Sequence, residues 1–110
     1  MKRTTNKIEY SVETEELARF AKALGHPTRI KILNYLENQS CCFTGDLLEV
    51  IPLAQSTISQ HLKELKDAGL IQGEVSPPKI KYCINHDNWL KAKSLFNEFF
   101  NRNMNQNTCN

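Results

Sequence analysis

Apolar residues in this chain recur mostly three and four positions apart, the spacing of a buried helix face, and alternate with polar ones near residue 80. Residues 1–12 carry no such repeat and read as a flexible N-terminal arm. From Thr14, a hydroxyl N-cap followed by Glu15 and Glu16, the set Leu17, Phe20, Ala21 and Leu24 marks a first helix. Gly25 ends it. Pro27 opens a second helix, whose face of Ile30, Ile32, Leu33 and Leu36 runs to about Glu37. Asn38-Gln39-Ser40 stops that helix, and Cys41-Cys42-Phe43 is short enough to be only a brief extended segment.

Thr44 caps a third helix with Leu47, Leu48 and Ile51 inward, closed by Pro52. A fourth helix follows in Leu53–Gly69. Ile58, Leu62, Leu65 and Gly69 gather on one side of it, and Ser56, Gln60, Lys63 and Asp67 on the other. Ala54 stands where a Ser or Thr cap is expected, and Gly69 provides the stop. Leu70–Val75 and Lys79–Ile84 are strands joined by a stiff Ser76-Pro77-Pro78 tip; in the second strand Lys79, Lys81 and Cys83 face away from Ile80, Tyr82 and Ile84. A last helix begins near Asp87 and carries Trp89, Ala92, Leu95, Phe96, Phe99 and Phe100. Residues 101–110, with five asparagines, read as a disordered tail. The expected fold is mainly α with a small β-hairpin wing, a winged helix-turn-helix in the order ααααββα, with one domain over residues 13–100.

At 110 residues the chain has room for one core, and its net charge of +2 excludes a purely electrostatic nucleic-acid coat. Any phosphate binding must come from a local basic patch. No apolar run is long enough for a membrane span, and the start MKRTTNKIEY lacks a secretory signal, so a cytoplasmic protein without a membrane partner is expected. No phosphate loop, HExxH or Ser/His/Asp set is present, so no enzyme is expected.

The fourth helix is the expected reader of double-stranded DNA. Gln55, Ser56, Thr57 and Ser59 open it, where free backbone N–H groups also favour phosphate. Gln60 can pair twice with adenine, while the hydroxyls suit several base edges. Lys63 is expected on phosphate, and the wing lysines Lys79 and Lys81 on the flanking backbone or minor groove. His61, at the edge of the apolar face, reads as a packing or orienting residue. A surface this ordinary also occurs on plain solvated helices; the preceding turn and the basic hairpin favour DNA.

Two segments, LGHPTRIKIL at 24–33 and LAQSTISQHLKELKDAGLI at 53–71, resemble the ArsR/SmtB family of bacterial transcriptional repressors. The likeness spans roughly residues 14–100. It implies a homodimer paired through its first and last helices, seated on operator DNA and released by a metal, a metalloid or another signal. The dimerisation residues this implies are Leu17 and Phe20 on the first helix and Trp89, Leu95, Phe96, Phe99 and Phe100 on the last, and the last helix is apolar over more of its circumference than one small core uses.

The family's zinc pattern, anchored at Asp87, falls here on Trp89, Phe100 and Asn103, none a usual zinc ligand. Its Cys-x-Cys before Asp-Leu falls on Phe43 and Gly45 ahead of Asp46-Leu47. The chain instead has Cys41, Cys42, Cys83 and Cys109. If the segment before the third helix pairs with the second wing strand, Cys41 or Cys42 meets Cys83. Such thiols suit a soft ion such as As(III), and the candidate ligand set is Cys41, Cys42 and Cys83. Adjacent residues of a strand face opposite ways, however, so both Cys41 and Cys42 cannot join Cys83 without distortion. Plain packing and redox sensing stay open for these cysteines. A protein-interaction module that has lost DNA binding, and a redox-responsive or ligand-independent DNA-binding regulator, are the alternative functions.

Overall fold

The computed structural model describes residues 7–102. In chain order the elements are α1 (Val12–Ala23), α2 (Pro27–Gln39), β1 (Cys41–Phe43), α3 (Thr44–Leu48), α4 (Gln55–Asp67), β2 (Ile71–Ser76), β3 (Lys79–Ile84) and α5 (His86–Phe100). The expected winged helix-turn-helix is the observed fold, with β1 added to the hairpin. The three strands form one antiparallel sheet in the order β1-β3-β2.

Several boundaries move by a turn or less. α1 begins two residues before Thr14, because the Ser11 hydroxyl accepts from the Thr14 backbone N–H and serves as the cap. Pro27 sits in the first turn of α2 as expected, and the His26 ring, through Nδ1, accepts from the Thr28 N–H. α2 continues to Gln39 and is broken at Ser40, whose φ of 70° is left-handed. α3 has five residues and ends before Pro52; Phe43 is its cap position, and the Asp46 carboxylate accepts from the Phe43 N–H at 2.9 Å.

α4 ends in a Schellman turn. Ala68 is the C-cap and Gly69 follows at φ 88°; the Gly69 N–H donates to the Lys66 carbonyl and the Leu70 N–H to the Leu65 carbonyl. Asn88 of α5 donates its amide to the Gly69 carbonyl at 2.9 Å, which locks this corner against the last helix. The strand then starts at Ile71, and Ser76 pairs with Lys79, so the wing tip is the Pro77–Pro78 pair alone, joined by a cis peptide bond.

The core lies where α2, α3 and α4 meet the base of the sheet: Ile32, Leu36, Leu47, Ile58, Leu62, Leu65, Leu70 and Ile71 are essentially inaccessible. Burying these aliphatic faces, each side chain contributing about 1.5–3 kcal/mol, presses α4 onto the body through one face. α1 and α5 pack against each other beside this core, with Lys91 and Glu16 in contact at 2.6 Å. No helix among the described residues is long and apolar enough to cross a membrane.

Candidate nucleic-acid interface

The amphipathic pattern of α4 sorts its residues cleanly. Ile58, Leu62 and Leu65 face the core, while Gln55, Ser56, Thr57, Ser59, Gln60 and Lys63 are all exposed. A helix of 13 residues is about 20 Å long, and one such rod fits the width of the DNA major groove. Its first turn has no side-chain cap, since Ala54 has no hydroxyl to offer. The N–H groups of Gln55 and Ser56 at this end lack helical acceptors, which leaves a positive helix end for an anionic oxygen.

Two of the polar side chains are engaged within the helix. Lys63 Nζ donates to Asp67 Oδ2 at 2.8 Å, and Gln60 Nε2 donates to Glu64 Oε2 at 3.4 Å. The hydrogen bond with Asp67 raises the Lys63 pKa, and the same bond lowers that of Asp67. Both groups stay open to solvent, so the pair is readily exchanged for another partner.

The wing stands beside the start of α4. A cleft of about 380 Å³ runs between them, lined by Thr44, Gly45, Gln55, Ser59, Lys79 and Tyr82 among others. The Lys79 ammonium lies 5.3 Å from the Phe43 ring centre, a cation–π contact that directs it toward α3. Lys81 is half-buried and pairs loosely with Glu74 at 3.6 Å across the β2–β3 ladder. The structure thus brings Gln55, Ser59 and Lys79 around one cleft. Thr44, Gly45 and Tyr82 have no DNA-site role in the sequence reading; the register of β1 against β3, which pairs Phe43 with Lys81, is what carries them there.

Behind the interface lies a polar cluster. Arg29 Nε donates to His61 Nδ1 at 3.1 Å, and the His26 and His61 ring centres are 4.4 Å apart. Burial holds the His61 imidazole below its ordinary pKa, with His26 and Arg29 adding to the effect and Glu64 opposing it.

The cysteines divide between the two faces of β1. Cys41 pairs in register with Cys83, their Cα atoms are 4.1 Å apart, and they form a disulfide. Cys42 points the other way, into the hydrophobic core, and keeps a free thiol; burial, reinforced by the Asp46 carboxylate, pushes its pKa up to about 11. The strand alternation therefore separates Cys42 from the other two members of the three-thiol set. Among the described residues no group of three His, Cys, Asp or Glu is arranged to hold a metal ion. Cys109 lies outside the described residues.

The expected dimerisation residues also divide. Phe99 and Phe100 are exposed, whereas Leu17, Trp89, Leu95 and Phe96 are half-buried. Phe20 is 5% exposed and packs in the core of its own protomer, so it is withdrawn from the dimerisation set. Ile8, Tyr10, Val12 and Leu90 are exposed apolar residues on or next to the same two helices, off the apolar repeats that mark those helices in the sequence.

Comparison with known proteins matches residues 26–72 to the bacterial regulatory protein, arsR family. The chain is 31% identical over 83 residues to the HTH-type transcriptional regulator YgaV of Escherichia coli, covering 76% of this chain and 84% of that one. It is 32% identical over 90 residues to the arsenical resistance operon repressor of Staphylococcus xylosus, covering 82% and 78%. The transcriptional repressor PagR of Bacillus anthracis is 36% identical over 81 residues, covering 74% and 80%. The crystal structure of PagR superposes with a TM-score of 0.63 at 27% identity, over 78% of this chain and 94% of that one. With two spaced segments, the winged topology and relatives aligned along most of their length, the chain belongs to the ArsR family of bacterial regulatory proteins.

Proposed function

We propose that this protein is a homodimeric transcriptional repressor that reads operator DNA with α4 and is released by an inducer acting at the Cys41–Cys83 pair. The observation that carries the DNA reading is the arrangement of α4. All six of its candidate contact residues are exposed, and Lys79 flanks the same cleft as Gln55 and Ser59. In this reading Gln55, Ser56, Thr57, Ser59 and Gln60 meet base edges or nearby phosphates, while Lys63, Lys79 and Lys81 neutralise the backbone.

The exposed apolar residues of the α1 region and α5 support the dimer. Phe99 and Phe100 meet edge to face at a centroid distance of 5.1 Å, leaving an aromatic surface at the end of α5. A second copy burying that surface would give the assembly two α4 helices, one for each half-site of an inverted repeat.

In the reduced protein, Cys41 and Cys83 supply two adjacent sulfur ligands for a soft ion such as As(III). The name of the Staphylococcus xylosus relative, an arsenical resistance operon repressor, supports that choice of inducer. The pair joins the strand leading into α3 to the wing strand, so a ligand there acts on both halves of the interface. A coupling of about 1–3 kcal/mol to DNA is typical of such linkage. The disulfide favours a second reading, in which oxidation of this same pair is the signal.

Selection of bound sequences from random duplex DNA, by reduced protein with and without arsenite, tests the whole reading. An enriched inverted repeat that arsenite releases from wild type but not from Cys83→Ser is the expected result. Absence of any enriched sequence would favour the protein-interaction reading. Release by a disulfide-forming oxidant but not by arsenite would favour the redox reading.

A further inference from the structure

The two sequence segments that carry the family resemblance meet in space at a point that the DNA-reading residues do not use. His26 and Arg29 come from the first segment and His61 from the second. We propose that Arg29 and His61 are positioning residues for DNA reading: together they form a strap that ties the buried face of α4 to the C-terminal end of α1 without touching DNA. The proposal rests on α4 being the reading helix.

The aliphatic contacts of Ile58, Leu62 and Leu65 hold α4 against the core, but such contacts are non-directional and set small rotations of the helix about its axis less sharply than a hydrogen bond. Arg29 Nε donates to His61 Nδ1 at 3.1 Å, and Arg29 Nη1 makes longer contacts with the carbonyls of Lys22 and Ala23, at 3.5 and 3.4 Å. Those carbonyls belong to the last turn of α1, where the negative helix end favours a cation. The His26 ring, fixed by its bond from the Thr28 N–H, packs against His61 from the start of α2.

His61 directly follows Gln60, so fixing its ring fixes the direction in which Gln60 leaves the helix. The other end of the strap is α1, which packs on α5 next to the surface assigned to the second copy. Arg29 and His61 therefore link the spacing of the two subunits to the angle at which each reading helix is presented.

The bond also sets a pH response. His61 accepts at Nδ1, so the neutral ring carries its proton on Nε2. Protonating Nδ1 sets an N–H against the Arg29 N–H, and the bond is lost. The groups facing the ring are His26 at the cap of α2, Arg29 from α2 and Glu64 from α4, with the Lys22 and Ala23 carbonyls of α1 on the far side of Arg29. Because His61 is held below its ordinary value of 6.5, the neutral form and its bond persist above that value. They outlast it, and are lost only as the pH falls through the lowered His61 pKa, with DNA affinity falling alongside.

The test is a fluorescence-anisotropy titration of the selected operator over a salt series, using the full chain and three variants. Arg29→Met and His61→Leu are expected to weaken binding about tenfold at about pH 7.5, while the slope of affinity against salt stays unchanged. His61→Asn keeps an acceptor near the position of Nδ1 and cannot titrate. It is expected to bind within about twofold of wild type at about pH 7.5 and to escape the loss that the wild type shows as the pH is lowered below 6.5. A salt slope lowered by about 1 in Arg29→Met would place Arg29 on phosphate and overturn the proposal. Unchanged affinity in both bond-breaking variants would also overturn it, as would equal acid weakening in His61→Asn, which remains decisive if His61→Leu does not fold. Failure of the wild type to enrich any operator overturns instead the reading on which the proposal rests.

Discussion

Cys41 and Cys83 stand directly opposite each other where β1 joins the wing, and their sulfur atoms are bonded across the ladder. One residue along, Cys42 is buried in the hydrophobic core with its thiol free. The strand's two-residue period thus separates a chemical pair from a packing residue within two adjacent cysteines. In protein reduced by dithiothreitol, a maleimide at about pH 7.5 should modify Cys41 well before Cys42, because only a thiolate reacts and Cys42 is both shielded and held to a pKa of about 11. Mass mapping of the labelled peptides checks this. Equal rates at the two positions would contradict the assignment of faces.

Gly69 is required by its backbone. At φ 88° an L side chain is strained, and a Cβ there would stand 2.7 Å from the Asn88 amide nitrogen. Gly69→Ala should lower stability by about 1–3 kcal/mol in urea denaturation. Asn88→Ala, which removes the clash but also the bond to the Gly69 carbonyl, should not restore wild-type stability when combined with it.

The Lys63–Asp67 pair restrains a residue assigned to phosphate. Asp67→Asn should free the ammonium group and strengthen binding to random duplex DNA a few-fold, with a salt slope steeper by up to about 1. Lys81→Ala should do the opposite, weakening all sequences alike and lowering the slope by about 1. Gln60→Ala should instead reduce the preference for operator over random DNA. A uniform loss in Gln60→Ala would contradict the division between base and backbone contacts.

Phe99 and Phe100 are exposed at the end of α5. Replacing both by Glu should yield monomers in sedimentation at micromolar concentration while the circular dichroism spectrum stays helical, because neither ring is part of the protomer core. A wild-type chain that is already monomeric would remove the dimer from the account.

Helix positions were legible because Leu, Ile and Phe recur at helical spacing, and the end of α4 because only glycine suits the left-handed turn there. The pairing of Cys41 with Cys83 was legible in outline from the length of the segment before α3 and the strand that follows the wing tip. Which cysteine paired was not, since register depends on the sheet as a whole. The α1 cap was misplaced because Ser11 and Thr14 are both hydroxyl residues one turn apart, and the sequence does not rank them. Phe20 fits a partner surface and a core equally well by periodicity; only the packing of α1 on the body decides. Arg29 and His61 are 32 positions apart, and local pattern carries no signal for a bond at that separation.

The central claim is that the exposed face of α4 lies against base edges. A photo-activated benzophenone side chain placed at Gln60 should cross-link to the selected operator at major-groove bases within a half-site, and the same group at Lys31, exposed on α2, should not. Cross-links from Lys31 but not Gln60, or cross-links from Gln60 that random duplex competes as well as operator does, would contradict it.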